Sequence, residues 1–153
     1  MIGNSSPQVK SVSLSIGDPE DKLSLAFAMA QGYKVTLTHE DGEAEILKPD
    51  GTTYHVHNFE CSCPDSIGRK GGSYQKGNGQ HFCKHVAWVA QMRPCEYCGA
   101  VMYLTEYRTA FGSRLKVFEC EMCRNAASQD LVREERRAEQ RIRQTLEAHN
   151  ATA

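Results

Sequence analysis

The chain has 153 residues, of which 40% are hydrophobic, with a formal net charge of −1 and seven cysteines. That length fits one domain or two small ones. The balanced charge excludes a global pull toward nucleic acid or anionic membrane, and no stretch approaches the roughly 18 apolar residues of a membrane span.

The charge is unevenly spread. Residues 1–60 carry four Lys/Arg against nine Asp/Glu, residues 61–127 carry nine against five, and residues 128–153 carry five against five. A polyanion contact is therefore expected in the basic second segment. The opening MIGNSSPQVKSVSLSIGD has no charged segment followed by an apolar run, so it does not read as a signal peptide, and a cytoplasmic location is expected. Val12, Leu14 and Ile16 alternate with serines, which predicts a half-buried strand within an N-terminal segment, residues 1–17.

Asp18 and Pro19 suit the N-cap and first position of a helix running to about Gln31, with Leu23, Ala26, Phe27 and Ala30 on one face. Gly32 fits its left-handed stop. Residues 33–38, 43–47 and 52–57 read as three strands of a meander, with turns at Asp41-Gly42 and Pro49-Asp50-Gly51. A Gly- and Lys-rich loop is expected over 64–80 and a short helix over 85–92, broken by Pro94. Beyond it, strands near 101–107 and 114–119 flank a turn at Phe111-Gly112-Ser113. Residues 128–149 hold no Gly or Pro and read as a charged helix within the tail 128–153, with Leu131, Ala138, Ile142 and Leu146 as a thin apolar stripe. That stripe is too short for a clear coiled coil, so packing on the chain's own ribbon, or a solvated tail, is expected over a dimer zipper.

All seven cysteines fall into four closely spaced pairs, one completed by a histidine: Cys61-x-Cys63, Cys83-x-His85, Cys95-x-x-Cys98 and Cys120-x-x-Cys123. Eight soft ligands are enough for two tetrahedral zinc sites, so the cofactor expected is two Zn2+. Seven cysteines would leave a disulfide framework with one unpaired, and spaced pairs in a reducing cytosol favour metal. A closed four-ligand site leaves no position for water, which makes it structural rather than hydrolytic. A thioredoxin-like redox role needs a βαβ context that the CxxC pairs lack. Cross-bracing, with Cys61 and Cys63 sharing a metal with Cys95 and Cys98, stands as the alternative arrangement.

The first set, Cys61-Ser62-Cys63-Pro64-Asp65, nineteen intervening residues and Cys83-Lys84-His85-Val86, resembles the SWIM zinc finger family, whose pattern is CxCx(n)CxH. The preceding helix and meander look like that family's lead-in, and the resemblance covers roughly residues 20–92. It implies that Cys61, Cys63, Cys83 and His85 hold one zinc. It also implies binding to DNA or to protein. The second set, Cys95-Glu96-Tyr97-Cys98-Gly99, twenty-one intervening residues and Cys120–Cys123, resembles a generic zinc ribbon. Gly99 would supply the positive φ of its knuckle.

His55, His57 and His81 flank the first set and are alternative ligands, though four ligands exist without them. Arg69, Lys70, Tyr74 and Lys76 could track a phosphate backbone with the ring stacking on a base, or form a solvated insertion. Arg108, Arg114, Lys116 and Arg124 extend a candidate basic surface. No GxxxxGK[ST], GxSxG or HExxH motif is present, so an enzyme is not expected. The expected architecture is small α+β: a SWIM-type module over 18–93, a zinc ribbon over 94–127 and a C-terminal helix. The expected role is a non-catalytic nucleic-acid-binding module or adaptor, with a protein-interaction adaptor as the alternative. Neither a small-molecule substrate nor a membrane partner is expected.

Overall fold

The computed structural model describes residues 10–11 and 17–151. The strand expected around Val12, Leu14 and Ile16 lies outside them. Strand β1 is Lys10–Ser11, and helix α1 is Leu25–Ala30. The helix starts later than Asp18. Asp18 and Asp21 instead form local turns, accepting from the backbone N–H groups of Glu20 and Leu23 at 2.9 and 3.0 Å. Ser24 is the N-cap, its hydroxyl accepting from Phe27 N–H at 3.1 Å. The buried face is accordingly Leu25 and Ala28, with Phe27 at its edge. At the other end Gly32, at φ +87°, lets Tyr33 N–H reach Ala28 O at 2.9 Å and Gly32 N–H reach Met29 O at 3.1 Å. This is the expected left-handed stop.

Strands β2 (Lys34–Leu37), β3 (Ala44–Leu47) and β4 (Thr53–His57) form the expected antiparallel meander, extended by a fourth strand, β5 (Glu60–Cys61). Ala44 and Ile46 of β3 point inward and Glu45 and Leu47 outward. The β4–β5 turn is Asn58-Phe59, both at positive φ (51° and 61°), which suits a tight two-residue hairpin. The register sets Cys61 opposite buried Val56.

The stretch 64–80 is more ordered than the loop expected of it. It contains helix α2 (Pro64–Gly68) and strand β6 (Tyr74–Gln75), which pairs with β7 (His81–Phe82). Asp65 ties α2 to β6 by accepting from Ser73 N–H at 2.9 Å and its hydroxyl at 3.0 Å. Helix α3 is Lys84–Val89, shorter than expected, because Met92–Pro94 leaves it as strand β8 on the edge of the second sheet. Trp88 of α3 is fully buried, and its indole N–H donates to Lys22 O at 2.9 Å. Gln91 donates to Leu23 O at 2.7 Å and accepts from Leu25 N–H at 3.2 Å. These side chains satisfy backbone groups just before α1, which is a physical reason why the helix does not begin at Asp18.

The second sheet is built on β9 (Val101–Arg108) and β10 (Arg114–Cys120), with β11 (Ala126–Ser128) beyond β10 and β1 and β8 sharing the other edge of β9. Its core is Met102, Phe118 and Val132 with Cys95 and Cys120. Helix α4 (Gln129–Ala151) supplies Val132. Of the thin apolar stripe, Leu131, Ile142 and Leu146 are more than half exposed and Ala138 is half-buried. A half-buried cation anchors the helix. Arg136 makes a two-pronged pair with Asp41 at 2.6 and 2.8 Å, reaches Ala90 O and Met92 O, and lies over the rings of Phe59 and Phe118 at 5.0 and 5.3 Å. Arg143 adds a hydrogen bond to Asn58 Oδ1, and Arg93 pairs with Glu135 at 3.1 Å. Helix α4 therefore fastens the meander and α3 to the second sheet.

Truncating Arg136 leaves Asp41 unpaired where its side chain is only 17% exposed. Arg136→Ala is expected to cost about 2–3 kcal/mol in a urea titration. The Asp41→Ala/Arg136→Ala double variant should be less destabilised than the sum of its parts. Strict additivity would show that the pair is not coupled.

Candidate metal centres

Cys61, Cys63, Cys83 and His85 come together in one group, and Cys95, Cys98, Cys120 and Cys123 in another, with the donor atoms of each group within 4.8 Å of one another. The pairing follows chain order, so the cross-braced arrangement is not the one formed. His55 and His57 stay on the exposed strand β4, where His57 pairs with Glu43 at 2.7 Å, and the His81 ring bonds Gly72 O at 3.0 Å. None joins either group.

In the first group, β5 delivers Cys61, the α2 N-cap is Cys63, and the α3 N-cap is Cys83, with His85 in the first turn of α3. Cys63 Sγ accepts from Ser66 N–H at 3.3 Å, so one sulfur serves as both helix cap and candidate ligand. Gly72 explains how Cys83 gets there. Its φ is +144°, and a Cβ would meet the Phe82 carbonyl carbon at 2.1 Å and Cys83 N at 2.3 Å. Only glycine lets residues 71–73 pass so close behind the ligand. The Gly71-Gly72 doublet was the sequence signal of this approach.

His85 Nδ1 is the nitrogen facing the sulfurs, 3.7 Å from Cys61 Sγ and 3.8 Å from Cys83 Sγ. A tetrahedral zinc with ordinary bond lengths separates a nitrogen and a sulfur by about 3.6 Å and two sulfurs by about 3.8 Å. His85 Nε2 is buried without a hydrogen-bond partner among the described residues. Its ring sits 5.1 Å from Tyr54 and from Trp88 and 6.2 Å from Tyr33. Aromatic packing thus fixes the imidazole where an oxygen acceptor usually would. The composition of the lead-in gave no hint of this enclosure, because the three rings come from separate elements.

In the second group Cys95 and Cys123 are 3.5 Å apart and Cys98 and Cys120 3.3 Å. Those separations lie near a tetrahedral edge and far from the roughly 2.0 Å of a disulfide. Cys98 and Cys123 are exposed while Cys95 and Cys120 are buried, so this centre lies at the surface. Gly99 has φ +78°, as the knuckle requires.

The electrostatics split each group: Cys83, Cys95 and Cys120 are lowered, while Cys61, Cys63, Cys98 and Cys123 are raised. The Cys83 thiol is lowered to about 4, first by its hydrogen bond with Cys61 and then by His85, while the same contact with Cys83 pushes Cys61 up. Metal binding requires both sulfurs deprotonated, so a dication held here would release the Cys61 proton. Cys95 is lowered to about 6, first by the backbone N–H of Cys98. Cys120 is lowered first by the N–H of Cys123. In each knuckle the first sulfur is held toward the thiolate while the second, Cys98 or Cys123, is raised.

The residues expected to meet nucleic acid fall in two places. Arg69, Lys70, Tyr74 and Lys76 lie between α2 and β7, with Arg69 paired to Asp65 at 3.5 Å and the Tyr74 ring stacked on Phe82 at 5.7 Å. Arg114 and Lys116 are exposed on β10. No helix among the described residues is long and apolar enough to cross a membrane. Comparison with protein-family models, with curated proteins and with solved structures finds no match to the chain.

Two independent centres predict that Cys63→Ser and Cys120→Ser each leave one metal per chain by native mass spectrometry, and that the double variant leaves none. Chelation of the intact protein is expected to collapse the amide spectrum of residues 61–125. A dispersed spectrum of that region after metal removal contradicts this.

Proposed function

We propose that the chain is a two-zinc, non-catalytic nucleic-acid-binding module or adaptor, in which a SWIM-type finger is followed by a zinc ribbon. The observation that carries the metal part is the donor set: three thiolates with one imidazole, and four thiolates, each group within 4.8 Å. Soft sulfur donors in fours select zinc over calcium or magnesium, which take oxygen. Four protein ligands fill a tetrahedron and leave no site for an activated water, which supports binding rather than hydrolysis.

The nucleic-acid part is supported by the SWIM resemblance and by the placing of cations. Lys70 and Lys76 are exposed in the segment behind the first centre, and Arg114 and Lys116 are exposed on the ribbon. The second reading, a protein-interaction adaptor, is favoured by a different observation. Ile142 and Leu146 stand 59% and 57% exposed on the outer half of α4.

Fluorescence anisotropy of the zinc-loaded chain against labelled DNA tests the first reading. Affinity should fall linearly in log salt as phosphate contacts release counterions. Reversing Arg69, Lys70 and Lys76 to Glu should abolish binding. Absence of binding even at low salt would sink the nucleic-acid reading and favour the adaptor.

A further inference from the structure

Strands β9 and β10 run outward from the second metal group and end in the loop 109–113. That loop is closed on itself. Thr109 N–H donates to Ser113 O at 2.9 Å, Gly112 N–H to Thr109 O at 3.0 Å, and Ser113 N–H to Thr109 Oγ1 at 3.1 Å. Gly112, at φ +84°, makes the bend. The loop is thus a built turn, and it holds Phe111 outward at 97% exposure. A phenyl ring in water contributes none of the stability its burial would bring.

Just behind the ring, Arg108 of β9 stands directly opposite Arg114 of β10, and Lys116 stands opposite Glu106. Directly opposed residues share a face of the sheet, and like charges there are destabilising. Lys10 occupies the next register position along the same row, opposite Arg108 on β1. Arg114 has a carboxylate partner, Glu106 at 3.6 Å. Arg108 and Lys116 have no ion-pair partner among the described residues. The tip therefore concentrates three cationic side chains against one carboxylate, with an unpacked aromatic ring at its apex. Among the described residues nothing covers Phe111, and no carboxylate pairs with Arg108 or Lys116.

We propose that the tip of the β9–β10 hairpin is a contact site for single-stranded nucleic acid, with Phe111 stacking on a base and Arg108, Arg114 and Lys116 taking the flanking phosphates. This rests on the nucleic-acid reading above and adds to the segment 69–76 a second contact, specific to the single strand. A polyanion removes the cost of the opposed arginines, and an exposed ring is useful only to a ligand with a free π-face. Unpaired bases offer that face, whereas bases in a duplex are already stacked.

The test is anisotropy of the intact, zinc-loaded chain with labelled oligothymidylate and with a duplex, over a salt series. Phe111→Ala should weaken single-strand binding about fivefold or more, the loss typical of one base–aromatic stack. It should leave duplex affinity and Tm unchanged, and Phe111→Trp should restore single-strand binding. Arg108→Gln with Arg114→Gln should reduce the slope of log affinity against log salt by about 1.4, the single-strand value for two phosphates. Tm should stay the same or rise as the like-charge pair is removed. Wild-type binding that is indifferent to all these changes overturns the hairpin site and leaves the nucleic-acid reading standing. Equal losses on duplex and single strand with Phe111→Ala, or failure of Phe111→Trp to restore binding, overturn the stacking role. A wild-type chain that binds neither form overturns both readings.

Discussion

Two groups of four donors, each able to hold a metal ion, are the constraint from which the rest of this structure follows. Cys61, Cys63, Cys83 and His85 are not appended to a finished core; they are part of it, packed with Ile46, Val56, Val86 and Trp88. Without an ion, three sulfurs and an imidazole would be crowded together with little to satisfy them. With one, the same crowding becomes a bond network. Structural zinc supplies on the order of 10–16 kcal/mol in finger peptides. A typical domain's whole net stability is about 5–15 kcal/mol. The second core makes the same point more sharply, since beyond Cys95 and Cys120 its buried residues are Met102, Phe118 and Val132.

Arg136 then decides how the two metal-built parts become one body. It joins the Asp41 turn, the end of α3 and β8, and the rings of Phe59 and Phe118. Most helices dock through an apolar face, whereas α4 docks through one buried valine, the Arg136 guanidinium and the polar contacts of Glu135 and Arg143. A planar cation that can make a forked pair, accept ring faces and reach two carbonyls suits a junction between unlike surfaces better than an aliphatic side chain would. This leaves the outer half of α4 with its apolar residues in water.

The sequence made the ligand pairs, the meander and the long final helix legible, because each rests on local spacing. CxC, CxH and CxxC carry their geometry in a few residues, and Asp41-Gly42 and Pro49-Asp50-Gly51 mark their turns. What escaped depends on distant partners. The start of α1 moved from Asp18 to Ser24 because Trp88 and Gln91, far along the chain, take the backbone groups of residues 22–25. The burial of Val132 in α4 was not legible, because the second sheet, not the helix, decides which face is covered. The hairpin inside 64–80 was hidden by its glycines, which read as looseness but serve close approach at Gly72. Arg136 was one charge among ten in a neutral helix, and no periodicity distinguishes it.

Function divides along the same lines. The two donor groups sit at the centre of the scaffold, and on the proposed function the surfaces around them would do the recognition: the segment around Tyr74, the hairpin tip and the outer face of α4. All of this stands on two closed, sulfur-rich centres. X-ray absorption at the zinc edge of the purified chain tests that claim most directly. The account predicts sulfur at about 2.3 Å and a single minor nitrogen component at about 2.0–2.1 Å. Seven sulfurs and one imidazole nitrogen would be shared between two metals. A spectrum dominated by light ligands, or a chain that carries no zinc and holds its cysteines as disulfides, would contradict it.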